Sequence, residues 1–195
     1  MAARKKKGLS IYVLPILFGG VLLALGLLQN KTAEPIPARE IQAGEPLTLT
    51  DMAIENYLYS DGYALDGDRV LDADGREAAR LTVSKGDGDR IDGLTLTFSL
   101  PTYVQTKNSA VLTSLKAEHD AAAQRGETLF LALFDAVAAT DGHIPARRDS
   151  ALTKLRTAMD AGKSATQSAN SWRFSFSLEP GELEGTVTIL FEKIK

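Results

Sequence analysis

The chain has 195 residues, 44% of them hydrophobic, with a formal net charge of −3 and no cysteine. It therefore forms no disulfide, no zinc–thiolate site and no thiol nucleophile. The charge is uneven, because the first 31 residues hold five basic and no acidic side chains while the remainder holds 17 basic and 25 acidic ones. An acidic remainder argues against a nucleic-acid partner, since a protein surface that binds nucleic acid needs basic patches.

An unbroken apolar run occupies residues 9–28, directly after Arg4, Lys5, Lys6 and Lys7. Twenty residues of helix span about 30 Å, the thickness of a bilayer's hydrocarbon core. The run predicts a single-pass signal anchor in the cell membrane, with residues 1–8 as a cytoplasmic basic tail. Residues 47–195 then form an extracytoplasmic domain, which is periplasmic in a Gram-negative cell. Cleavage as a signal peptide is the alternative, but the run exceeds the usual length of about 7–15 residues.

Residues 29–46 contain three prolines, which forbid a continuous helix and predict an extended linker. In and after the linker stand, in order, Ala38-Arg39-Glu40-Ile41, Ala43-Gly44, Leu47 and Thr50-Asp51. These residues resemble the opening of a SAF domain, the β-clip module of pilus-assembly proteins of the CpaB type and of flagellar P-ring chaperones. The resemblance covers residues 35–55, and a membrane span just before it fits the CpaB arrangement. On physical grounds, Gly44 permits a tight turn and Thr50 or Asp51 can cap a short helix.

The section 61–92 is rich in aspartate and reads as short strands joined by turns. Strands are predicted at 69–71, 79–84 and 93–100, with turns at 72–75 and 85–90. The alternative is a calcium site, because carboxylates are the oxygen ligands that Ca²⁺ prefers. The candidate ligands are Asp61, Asp66, Asp68, Asp72, Asp74, Asp87 and Asp89. An EF-hand loop counted back from Gly75 fails, because Val70 occupies its first position.

Three helices are predicted between the strands. The first begins at Asn108 or Ser109 and runs to about Arg125, where Gly126 ends it. The second runs from about Glu127 to Thr140, and its apolar residues cover most of its circumference. The third opens at Pro145 and ends before Gly162, and residues 163–171 follow as a polar loop.

Two C-terminal segments alternate apolar and polar residues, at 172–178 and 186–194, and predict an antiparallel hairpin. Trp172 and the strand phenylalanines fall on the buried face of this pattern. The order strands, helices, strands indicates an α+β fold, with about three helices on one face of a mainly antiparallel sheet.

The sequence contains no recognisable catalytic constellation. Its two histidines, His119 on a polar helix face and His143 in a loop, lack metal-ligand spacing and are expected to be solvated. G-x-S-x-G, S-x-x-K and P-loop motifs are missing as well. We therefore expect no enzyme activity and assign no catalytic, cofactor-binding or metal residue.

The permanent anchor indicates an interaction or assembly component of a cell-envelope complex, with the membrane and other envelope proteins as its partners. The alternative is an extracytoplasmic ligand- or calcium-binding module. A weaker alternative is an enzyme whose carboxylates are scattered along the sequence.

Overall fold

The computed structural model describes residues 48–102, 108–140 and 143–194, which belong to a compact unit spanning Pro46–Lys195. The predicted basic tail, transmembrane helix and linker, at 1–8, 9–28 and 29–46, lie outside the described residues. Among the helices that are described, none combines the length and the apolar character needed to cross a bilayer. The topology prediction therefore stays a prediction.

The described chain forms three α-helices and seven strands, which confirms the α+β fold. The helices are α1 (Asp51–Ser60), α2 (Ser109–Ala138) and α3 (Arg148–Ala161). The strands are β1 (Ala64–Asp66), β2 (Arg69–Leu71), β3 (Glu77–Lys85), β4 (Ile91–Pro101), β5 (Ala165–Ala169), β6 (Trp172–Glu179) and β7 (Glu184–Lys193). Short 3₁₀ turns occur at Asp87–Asp89 and Pro145–Arg147.

All seven strands join one antiparallel sheet in the order β1-β2-β3-β4-β7-β6-β5. The predicted C-terminal hairpin is confirmed as β6 and β7. The N-terminal and C-terminal halves of the domain meet where β4 pairs with β7, with Pro101 opposite Glu184 at one end and Gly93 opposite Glu192 at the other. Residues that are far apart in the sequence, such as Pro101 and Glu184, therefore lie side by side at one end of the sheet.

Period-two alternation separates the two faces of the sheet. Leu94, Leu96, Phe98 and Leu100 of β4 are buried, whereas Thr95 and Thr97 between them are half-exposed. The buried face packs against the helices in one hydrophobic core. Five phenylalanine rings form its centre, with neighbouring centroids 5.0–5.8 Å apart: Phe130, Phe134, Phe174, Phe176 and Phe191. Trp172 is buried as well, so the prediction that these aromatics are core residues is confirmed.

The predicted break at Gly126 is wrong, because α2 continues through it as one helix of 30 residues. Gly126 is buried, and a Cβ placed on it would lie 2.2 Å from Cζ of Phe98. The missing side chain lets α2 approach β4 closely, and the packing gained there outweighs the poor helix propensity of glycine. The two predicted central helices are therefore one.

Three of the helix caps predicted from sequence are confirmed, at Thr50, Asn108 and Gly162, whereas the helix predicted to open at Pro145 begins at Arg148, after a 3₁₀ turn. Thr50 Oγ1 accepts a hydrogen bond from the Ala53 amide at 3.2 Å, and Asn108 Oδ1 accepts one from the Ala110 amide at 3.1 Å. Gly162 caps α3 with a left-handed φ of 61°, a conformation that glycine adopts without strain. Local side-chain chemistry therefore determines where these helices begin and end.

The polar loop predicted at 163–171 is also wrong, since residues 165–169 form β5 on the edge of the sheet. The two-residue turn after it contains Asn170 with a φ of 49°, as tight hairpins require. β1, at the other edge, is an additional strand that the sequence pattern did not indicate.

Candidate functional site: a cleft at the end of the sheet

A cleft of about 500 Å³ lies where β4 ends, bordered by α2, α3 and the connection between β6 and β7. Ligand sites commonly have volumes of about 300–1,000 Å³. The lining residues come from four separate parts of the chain: Leu100, Pro101, Thr102, His119, Asp120, Ala123, Gln124, Glu127, Arg156, Met159, Asp160, Gly162, Leu178, Pro180 and Gly185.

Hydrogen bonds from Thr102 hold the β6–β7 connection against the end of β4. The Thr102 amide donates to the carbonyl of Leu183 at 2.9 Å, and its hydroxyl donates to the carbonyl of Gly181 at 3.4 Å. Pro180, at the start of this connection, cannot donate to the sheet and so ends the ladder. The wall of the cleft is therefore attached to the sheet through backbone groups of the connection.

His119 lies at the back of the cleft with 9% of its surface exposed, which corrects the expectation that it is solvated. Its Nδ1 lies 2.7 Å from the carbonyl oxygen of Pro101. A carbonyl oxygen only accepts, so Nδ1 carries a proton and donates it in this hydrogen bond. The bond ties α2 to the last residue of β4.

Glu127 and Arg156 form a two-point ion pair across the cleft between α2 and α3. Both guanidinium–carboxylate contacts measure 2.7 Å. The hydrogen bond and the charge of Glu127 raise the pKa of Arg156, and the nearby charge of Asp160 adds to the rise. The guanidinium thus stays protonated and orients the Glu127 carboxylate.

The charge of the cleft is negative. The lining residues include three carboxylates, Asp120, Glu127 and Asp160, and one guanidinium, that of Arg156, which is paired with Glu127. The lining also includes apolar side chains, among them Leu178 and Met159. Such a surface favours a group that is both cationic and apolar, because it satisfies the carboxylates and buries its carbon atoms.

The first turns of α2 extend past the sheet beside this cleft. Gly126 packs on Phe98 and His119 on Pro101, so α2 runs antiparallel to β4 and its earlier residues pass the strand's end. We call residues 109–118 the arm. They span about 15 Å of helix, and none of the ten is buried.

The core-facing stripe of α2 continues into the arm. Val111, Leu115, His119, Ala122 and Gly126 recur at intervals of three or four residues, which places them on one face of the helix. The last three are buried, Leu115 is half-buried, and Val111 is 45% exposed. The face of α2 that is buried at His119, Ala122 and Gly126 therefore continues onto the arm, where its apolar side chains are exposed.

Two further apolar residues are exposed at this end of the domain. Leu112 on the arm is 42% exposed, and Leu183 in the β6–β7 connection is 73% exposed. We call the cleft, the arm and the 180–183 connection together the cleft end of the domain. It combines a negative, partly apolar concavity with exposed aliphatic side chains.

The other sequence candidates lie elsewhere. His143 is exposed before Pro145 and does not line the cleft, so the two histidines do not share this site. In the acidic turns, Asp66 pairs with Arg69, and Asp68 lies 3.4 Å from Arg80. Asp72 Oδ1 accepts hydrogen bonds from the amides of Asp74 and Arg76. Across 48–102, 108–140 and 143–194, the structure gathers no group of three histidines or carboxylates suited to a metal ion.

Comparisons of the chain with models of protein families, with curated protein sequences and with solved structures return no match. The function is therefore argued from the geometry of the cleft end.

Proposed function

We propose that this protein is a non-catalytic interaction or assembly component of a cell-envelope complex, anchored in the membrane by residues 9–28, and that its extracytoplasmic domain binds an envelope protein with the cleft end. The apolar run and its basic flank support the location. The exposed apolar arm supports the mode of action.

The observation that carries the proposal is the continuation of the core-facing stripe into the arm. Val111 and Leu112 add no hydrophobic stabilisation to a helix end that contacts only water, because exposed aliphatic groups remain hydrated. Contiguous exposed apolar groups on a domain surface mark interaction sites. Leu183 provides a third such group from a different part of the chain.

The position at which the chain joins the domain supports the same proposal. Leu49 is buried, and two residues later Asp51 pairs with Lys85 at 2.7 Å, at the end of β3. Lys85 lies opposite Ile91, the first residue of β4, whereas the cleft begins at the last residues of that strand. Ten residue steps of strand separate these positions by about 33 Å. Residues 49–51, at the start of the described part of the domain, therefore lie at the opposite end of β4 from the cleft.

The test is photo-crosslinking of the full chain in intact membranes. A photoreactive amino acid replaces Leu183, and in a matched variant it replaces Met52, which is 59% exposed on α1. We expect a discrete protein adduct from position 183 and none from position 52. Adducts from both positions in equal yield, or from neither, would contradict the proposal.

A second candidate function is ligand binding, which the volume of the cleft favours. The discriminating measurement is native mass spectrometry of the full chain extracted in detergent. A small molecule that co-purifies, and that is lost when Glu127→Gln breaks the pair with Arg156, would favour this alternative over a protein partner.

A further inference from the structure

We infer that the cleft end receives a basic amphipathic segment of the partner, which inserts a lysine or arginine into the cleft and lays apolar side chains against the arm. This inference rests on the proposed function and names the chemistry of the partner surface. It is argued from charge complementarity and from the place of the apolar groups.

The cleft determines the sign of the incoming charge. Asp160 lines it, and its side chain is exposed on α3 one turn after Arg156. Since Arg156 is engaged by Glu127 through two hydrogen bonds, the positive charge inside the cleft is already compensated. A basic side chain is therefore attracted, and an acidic one meets like charges at short range.

The connection between β6 and β7 extends this negative field to the rim. Residues 179–184 read Glu-Pro-Gly-Glu-Leu-Glu, with three glutamates and no basic residue. Leu183 stands between two of them, so an apolar contact here is made beside a carboxylate. A partner that covers Leu183 without basic groups would bury or crowd these carboxylates at a cost.

The arm determines the second property of the segment. The cleft residues Asp120, Ala123 and Glu127 lie on the α2 face that leads back to Leu112, eight residues before Asp120. Along this side of α2 the apolar groups of the arm therefore come first and the carboxylates of the cleft follow, with the exposed Lys116 between them. A partner segment matches both only if its own apolar and basic side chains share a face, which defines it as amphipathic.

The experiment maps the partner residues that contact the arm. The full chain, with a photoreactive amino acid at position 112, is crosslinked in intact membranes, and the adduct is digested and sequenced by mass spectrometry. We expect the attached partner peptide to carry an excess of lysine and arginine with aliphatic residues between them. A neutral or acidic peptide would overturn the inference while leaving the proposed function standing. A lipid adduct, or no adduct, from position 112 would overturn the inference, whereas the proposed function is judged by the adduct from position 183.

A charge-matched pair of variants provides the second readout. Asp160→Asn with Glu182→Gln removes two negative charges from the cleft end, and Glu55→Gln with Asp74→Asn removes two exposed ones elsewhere. The first pair should lower the yield of the adduct from position 112 by about three- to tenfold, given the usual strength of exposed ion pairs. The second pair should leave it unchanged. Equal losses in both pairs would refute a specific charge contact.

Discussion

Replacing Gly126 with alanine tests the contact that makes α2 one helix. On an unconstrained helix surface, this change stabilises a protein by about 1 kcal/mol, because alanine is the better helix former. At position 126 the new Cβ would meet three ring carbons of Phe98, at 2.2, 2.5 and 2.8 Å. Ordinary contacts between carbon atoms measure about 3.5–4.0 Å, so the ring or the helix must move by roughly 1 Å.

Overpacking of a dense core costs about 1–3 kcal/mol, which exceeds the gain in helix propensity over most of that range. We expect Gly126→Ala to lower the free energy of unfolding by up to about 2 kcal/mol, measured by chemical denaturation of residues 46–195. The control Ala121→Gly, at an exposed position of the same helix, should cost about 1 kcal/mol through propensity alone.

A second substitution separates this explanation from a helix end at Gly126. If the methyl group clashes with the Phe98 ring, Gly126→Ala should cost less, or should stabilise, in a Phe98→Leu background, with a coupling of about 1 kcal/mol or more. If glycine instead provides a helix cap, the cost should be the same in both backgrounds. An additive double-mutant cycle, or a stabilising Gly126→Ala in the wild-type background, would refute the packing argument.

Four further outcomes are expected. Phe176→Ala should destabilise the domain by about 3–5 kcal/mol and Ser175→Ala by no more than about 0.5 kcal/mol, because only the phenylalanine is buried; similar losses in denaturant would contradict the alternating faces. Burial raises the pKa of Tyr63 above its ordinary value of 10.0, with smaller opposing and reinforcing effects from nearby charges. Since the unfolded chain ionises first, stability should be full below about pH 10 and should fall above it, and Tyr63→Phe should reduce that fall in alkaline denaturation. A reporter that is active only after export should work when fused to the C-terminus, and activity of a cytoplasm-only reporter there would exclude the proposed orientation. Millimolar calcium should leave the melting temperature unchanged; a rise that Asp72→Asn with Asp74→Asn abolishes would assign an ion site to the acidic turns.

Patterns contained within a few residues predicted much of the fold. The alternation at 94–100 and 172–178 identified which strand residues are buried, because successive strand side chains point to opposite faces. The caps at Asn108 and Gly162 were also predicted, since a cap depends on one side chain or one backbone angle. The same local rules failed at Gly126, where a neighbouring strand decides the outcome, and at β5, whose polar composition does not distinguish an edge strand from a loop.

The cleft end could not be predicted from the same patterns. His119 follows a glutamate and precedes an aspartate, a context typical of a solvated helix face, yet it is buried at the end of β4, where its Nδ1 donates to the carbonyl of Pro101. Glu127 and Arg156 stand 29 positions apart, and nothing in their spacing indicates that α2 and α3 bring them together.

By itself the sequence determined the apolar run at 9–28, the faces of the strands and the helix caps, because each depends on neighbours along the chain. The tertiary structure alone decided the continuity of α2, the burial of His119 and the existence of the cleft, because these depend on how close one element comes to another.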